Sequence, residues 1–419
     1  MDPIQRRNTV LFAVGEGLFG FKTNLVASAT VLTVLLRRYG ASERLLGAVW
    51  GIEAAGALLP QLLGLYLFHT YRQRRRRLIL WHIVVMIPAM AVMALLAGAA
   101  DRLDPGWFRL GMVLCHAHYW LCIGVVNAAW SDFVAALFPV AIRGTVMGLC
   151  MASASVAGAA GALAAGALLR ASDTPQVYAG LYAAAWLVGT VSLCMWIPVD
   201  DRVVKAQPDT PPPAVRILAR HFWRSLADGN FRAFVATRVL ATLGFCVTPF
   251  IALRFLAPAG GGLAASTVVS CGAAMTAGFA LASIALGPLG DRRGHRLGLI
   301  VGITAQMATL MVLLWIPGLV GCVLAYAGTG ICNACAAVSG GNLLFETCPH
   351  GHRMAHISVG NLLIGTPMAV VAVFAGILAE HHGLDAVFMA CLAASAMAML
   401  CCLCFVRDPR TLPLRSAQG

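Results

Sequence analysis

Twelve apolar stretches follow one another along the chain, separated by short segments rich in charge, glycine and proline: 9–36, 44–69, 78–100, 107–130, 142–170, 176–197, 231–256, 263–289, 297–317, 319–345, 354–379 and 385–406. Each is long enough, as a helix, to cross a hydrocarbon core of about 30 Å. Backbone polar groups in lipid must be satisfied within the segment, so the expected fold is an all-α membrane protein with twelve transmembrane helices. The composition agrees. Only 11% of the residues are charged, against about 25% in soluble domains, and the mean hydropathy is +0.81.

Residues 199–230 differ from everything around them, with Asp200, Asp201, Lys205, the run Pro211, Pro212, Pro213, and then Arg216, Arg220 and Arg224. They read as a cytoplasmic linker with a short basic amphipathic piece. The expected domains are a six-helix half over 1–198, the linker over 199–230, and a second half with a short cytoplasmic tail over 231–419. Twenty-one of the thirty Lys and Arg residues, including Arg6, Arg7 and the cluster Arg72 to Arg77, fall on the side of the two termini, and seven on the other. That bias puts both termini in the cytoplasm. The net charge of +13 would suggest nucleic acid in a soluble protein, but here it lies in the loops between spans, so the expected partner is the bilayer and not nucleic acid. The fourteen cysteines sit almost entirely inside apolar runs and read as small buried hydrophobes. The first apolar run is too long for the core of a cleaved signal peptide.

The halves carry traces of a repeat. Pro139 and Arg143 recur as Pro349 and Arg353, and Phe12 with Glu16 falls on Phe234 with Arg238 when the first span is laid on the seventh. Two superposable halves related by an axis along the membrane normal would place each pair equivalently.

Between the eighth and ninth spans stands Gly287-Pro288-Leu289-Gly290-Asp291-Arg292-Arg293-Gly294-His295-Arg296. This resembles the G-x-L-A-D-R-x-G-R-R loop of the major facilitator superfamily, departing at Gly290 and His295. With the twelve spans, the linker and the stretch from Trp130 to Gly148, the resemblance covers nearly the whole chain at superfamily level. It implies two pseudo-symmetric six-helix halves and a secondary active transporter that moves a small solute across a bacterial inner membrane by alternating access, with no cofactor and as a monomer. By the same resemblance Asp132, Arg143, Asp291, Arg292, Arg296, Glu346 and Arg353 belong to the gate on the cytoplasmic side. The corresponding loop of the first half, 64–77, carries arginines without an Asp and is not expected to gate. The fifth span has Gly158, Gly161 and Gly166 but lacks the proline of the family's drug-antiporter signature, and the fourth span lacks the arginine associated with proton coupling. The glycines more simply permit close helix packing.

Charged groups at bilayer depth cost at least about 2.5 kcal/mol and usually face a cavity or a partner. Glu16, Lys22, Glu53 and Arg238 are such groups. On the fourth span His116, Trp120, Asn127 and Trp130 share one face, whereas His118 lies about 160° away. The resemblance assigns the first, fourth, seventh and tenth spans to the central cavity. The expected substrate and coupling residues are therefore Glu16, Lys22, Glu53, His116, Trp120, Asn127, Arg238 and Asn333, with protons as the coupling ion. Helix rise puts Lys22 and Glu53 at one depth near the midplane, which predicts a salt bridge or a link through one water. Cys332 and Cys335 flank Asn333 and would be the ligands if the cargo were a transition metal or its chelate; the first expectation is no metal site. A membrane assembly factor or receptor that has lost transport is the remaining alternative. No H-E-x-x-H or G-x-S-x-G pattern is present, so no enzyme is expected.

Overall fold

In the computed structural model the described residues are 2–206, 216, 220, 223–224, 226–346 and 353–408, and among them the chain is helical throughout, with no strand. The spans are α1 (Pro3–Arg38), α3 (Tyr71–Gly98), α4 (Pro105–Leu137), α5 (Val140–Ala171), α6 (Pro175–Cys194), α7 (Gly229–Leu256), α8 (Ala265–Arg293), α9 (His295–Trp315), α10 (Gly318–Leu344), α11 (Arg353–His382) and α12 (Leu384–Phe405). The expected second span is not one helix. It consists of two pieces, Glu43–Leu58 and Gln61–Leu67, together called α2.

Pro60 accounts for that break. It has no N–H for the carbonyl of Gly56 and its ring collides with that carbonyl in a straight helix. The freed Gly56 carbonyl instead lies against Gly124 of α4, where an added Cβ would stand 1.9 Å from it, and Gly64 meets the Val125 carbonyl just as closely. Small residues on both helices are what let the broken span press against α4. Helix starts follow from local chemistry. Asp104 accepts from the amides of Gly106 and Trp107 ahead of Pro105, Ser42 accepts from Leu45, and Asp228 accepts from Phe231. Gly294, at φ +85°, makes the sharp turn from α8 into α9 and donates to the Gly290 carbonyl at 2.9 Å.

Within the first six spans and within the last six the helices pack on one another, and Phe12 and Phe234 are each fully buried. Pro349 lies outside the described residues, so of that repeat only Pro139, Arg143 and the position of Arg353 at the start of α11 are seen. Between the halves α2 runs against α11 and α5 against α8; toward the termini Asn361 of α11 donates to Gln61 of α2 at 3.3 Å, and further contacts lie on the side away from the termini. There Gly47 and Gly51 of α2 abut the carbonyls of Ala372 and Ala369 on α11, and Gly166 of α5 abuts Ser270 of α8. Trp50 packs on Phe245 at 5.8 Å, Tyr326 donates to the Ala29 carbonyl, and the Arg44 amide donates to Glu380 at 3.2 Å. On the side of the termini every ion pair among the described residues stays within one half or its adjoining linker. There Asp200 accepts from Arg202 at 2.6 Å, which holds its carboxyl down to about 2.

Candidate functional site

A cavity of 380 Å³ is lined by both halves. From the first half it receives Thr23, Asn24 and Ser28 of α1, Trp50 and Glu53 of α2, Met90 and Met93 of α3, and His116, Tyr119 and Trp120 of α4; from the second, Phe245, Thr248, Met275, Asn333 and Met368. A second cavity of 140 Å³ adjoins it, sharing Leu58, Phe245, Asn333 and Met368, and adds Arg238, Thr242, Gln306 and Cys335. The walls are mostly apolar and aromatic with a few convergent polar groups, as small-molecule sites are.

Backbone irregularities place those groups. α1 leaves regular helix after Leu25 and resumes with a wider π-type turn over Ser28–Leu32, which sets the Ser28 hydroxyl to donate to the Glu53 carboxylate. The other neighbour of Glu53 is His116, whose Nε2 lies 3.5 Å from Oε2. Trp120 packs edge-on to His116 at 6.3 Å, and Tyr119 packs edge-on to Trp120 at 5.9 Å. A carboxylate and an imidazole at this distance, on two different helices and open to a cavity, can hold or exchange a proton. His118 faces away and bonds the Val85 carbonyl at 2.7 Å.

The expected link between Lys22 and Glu53 is not a salt bridge. Lys22 is 0% exposed, its ammonium lies 3.8 Å from the Phe19 ring and 4.5 Å from the Tyr119 ring, and it donates to the Tyr119 hydroxyl. Equal depth therefore does not mean a shared face: Glu53 turns to Ser28 and His116 while Lys22 sits behind the cavity wall. Tyr119 separates the two, with one flank on the cavity and its hydroxyl on the ammonium.

Three further assignments are corrected by position. Lys22 lines neither cavity. Glu16 also lines neither, because it stands two helical turns, about 10 Å, from the cavity residue Thr23 toward the termini. Asn127 shares the face of His116 but is exposed, about 16 Å nearer the termini along α4. Arg238 and Asn333 do line the second cavity. Cys332 donates to the Gly302 carbonyl at 3.6 Å and Cys335 packs on Gly302, and both line the second cavity beside α9. Among the described residues no three His, Cys, Asp or Glu side chains converge as a metal site would require.

At the ends of α4 and α10 on the side of the termini, two acidic residues meet an arginine and a histidine. Asp132 accepts from Tyr71 at 2.9 Å and from Arg74, which is buried, stacks on Tyr71 at 3.8 Å and donates to the Phe68 carbonyl. The loop of the first half thus has its carboxylate after all, supplied by α4 from 58 residues away. In the second half His295 lies 4.0 Å from Glu346. Arg143 donates to the Ala135 carbonyl at 2.5 Å and Arg296 to the Leu403 carbonyl at 2.8 Å, each closing a helix end. Arg292 is exposed at the end of α8. The side chains of Asp291 and Arg353 lie outside the described residues.

A bundle of apolar helices in two six-helix halves, with a mostly apolar cavity carrying a few polar groups between them, defines a multi-pass integral membrane protein with a transporter fold. Family models match both halves: Major Facilitator Superfamily over residues 261–419 and MFS_1 like family over residues 1–179. The chain belongs to the major facilitator superfamily. No curated protein matches the sequence. Among solved structures it is similar to a point mutant of the nucleoside transporter NupG (TM-score 0.69, 13% identity, 95% of this chain and 98% of that one). A POT family transporter in complex with 5-aminolevulinic acid gives a TM-score of 0.71 at 11% identity, covering 95% of each chain. The xylose transporter XylE from E. coli, in a partially occluded inward open conformation, gives 0.67 at 12% identity, covering 97% and 100%.

Proposed function

We propose that the protein is a secondary active transporter that carries a small organic solute through the cavity between its halves by alternating access, coupled to protons through Glu53 and His116. The observation that carries this reading is the Glu53–His116 pair, at 3.5 Å, on the wall of a cavity lined by both halves. An apolar cage holds a solute body, Asn24, Thr248 and Asn333 supply orienting polar groups, and the pair gives binding a proton dependence. A proton-coupled relative is consistent with this: the D-xylose-proton symporter resembles the chain with a TM-score of 0.67 at 14% identity.

The positive-inside bias supports cytoplasmic termini, with the closely packed side facing outward; we place the protein in a bacterial inner membrane. On that orientation Asp132 with Arg74 and Glu346 with His295 flank the cytoplasmic gate. Asp291, Arg292 and Arg353 complete it on the second-half side. The chain acts as a monomer, with the bilayer and the solute as its partners. A transition-metal cargo is disfavoured because no three His, Cys, Asp or Glu side chains converge among the described residues, where a metal would need several such ligands.

Counterflow in proteoliposomes tests the proposal. Vesicles preloaded with members of a panel of uncharged, cationic and anionic solutes should accumulate the labelled form of at least one. Binding without counterflow of any would favour a receptor that has lost transport.

A further inference from the structure

The arginines with described partners use their guanidinium donors on carboxylates or carbonyls: Arg74 on Asp132 and Phe68, Arg75 on Asp201, Arg143 on Ala135, Arg254 on Asp385, Arg296 on Leu403. Arg238 is different. It sits in the membrane-spanning part of α7, lines the second cavity, and no described residue forms a hydrogen bond or ion pair with it. Its guanidinium rests against α10 at the widened turn over Ala336–Gly340, where a Cβ on Gly340 would come within 2.7 Å of Nη1. Glycine at 340 therefore keeps the space the guanidinium occupies. Asn333 and Thr242 add a side-chain amide and a hydroxyl to the same small cavity.

We infer that the second cavity binds the carboxylate of a small organic monocarboxylate, whose apolar body lies in the adjoining main cavity. This rests on the transport reading for the cavity's role and names the class of its solute. A guanidinium presents paired N–H donors in a planar fork that fits a carboxylate, and an unpaired cation at this depth requires an anion to settle it. One unpaired cation matches one negative charge. The only carboxylate among the described residues of the cavity walls, Glu53, is already engaged by Ser28 and His116 and would repel a second negative group on the ligand. The surface between the two ends, Trp50, Trp120, Phe245, Met90, Met93 and Met368, fits a hydrocarbon or aromatic body.

The test is binding to the purified full-length protein in detergent at one pH, by calorimetry, with three probes of like shape: phenylacetate, phenylacetamide and phenethylammonium. Phenylacetate should bind about tenfold or more tightly than either of the others, the effect of one charge-assisted bidentate contact. Arg238→Gln should bring phenylacetate down to the level of the amide, and Arg238→Lys should retain part of the preference. Gly340→Ala, which crowds the guanidinium without removing it, should weaken phenylacetate and leave phenylacetamide unchanged; it serves if Arg238→Gln does not fold. Equal binding of acid and amide, no binding of any probe, or an Arg238→Gln affinity within twofold of the unaltered protein would overturn the inference. Selective binding of phenylacetate with no counterflow of any solute would leave the anion site standing and sink the transport reading. Counterflow of a neutral solute by a protein that shows no preference for the acid would do the reverse.

Discussion

Gly47→Ala should open the side of the protein that is closed here. A Cβ at that position would stand 2.3 Å from the Ala372 carbonyl oxygen of α11. Ordinary contact begins near 3.4 Å, so α2 and α11 would have to part by about 1.1 Å, the difference of the two distances. Overpacking of this kind costs about 1–3 kcal/mol, and at about 1.4 kcal/mol per tenfold that lowers the closed population relative to the open one by about 5- to 150-fold. The clash exists only where the halves meet, so it acts on the equilibrium between states as well as on folding. The assay is pulsed electron paramagnetic resonance with spin-labelled non-natural residues at positions 44 and 380, where an amide and a carboxylate oxygen now lie 3.2 Å apart. The distance distribution should gain a longer component in Gly47→Ala. Gly180→Ala is the control, because nothing lies within 4 Å of its Cβ position. An unchanged distribution in folded, monodisperse Gly47→Ala would refute the view that these helices form a two-state contact.

Gly124→Ala should lower thermal stability by about 1–3 kcal/mol, since its Cβ would fall 1.9 Å from the Gly56 carbonyl at the break in α2. A double-mutant cycle of Asp132→Asn with Arg74→Gln should give a coupling of about 0.5–3 kcal/mol, toward the lower end because Asp132 is 35% exposed; zero coupling would show the pair to be idle. Lys22→Met should keep stability within about 1.5 kcal/mol because it conserves volume, whereas Lys22→Ala should lose about 2–5 kcal/mol by leaving a void between Phe19 and Tyr119. Equal stability of the two Lys22 variants would mean that water, and not packing, surrounds that side chain.

Most of the spans and several of the polar groups of the cavity are legible without coordinates, because hydrophobic length and the cost of charge in lipid act on the local sequence. Glu53, His116 and Trp120 stand out on that ground. What one sequence withholds is the rotation of one helix against another. Lys22 and Glu53 share a depth, yet Lys22 turns to Tyr119 and Glu53 to Ser28, and neither Ser28 nor Tyr119 stands out in an apolar run. The widened turn that presents Ser28 has no compositional mark. Pro60 does mark the break in α2, but the hydrophobicity on both sides conceals it inside one apparent span. The Arg74–Asp132 pair escapes a sequence reading for a different reason: Arg74 is visible in its loop, and Asp132 at the end of α4, but only the fold brings them together.

The coupling role of Glu53 is best tested by proton movement itself. In proteoliposomes carrying a pH-sensitive dye, addition of a solute that the protein exchanges in counterflow should acidify or alkalinise the lumen with the wild-type protein. Glu53→Gln should abolish that proton flux while still binding the solute and supporting its counterflow. Proton flux that persists undiminished in Glu53→Gln, or wild-type transport that moves no protons with its solute, would contradict the account.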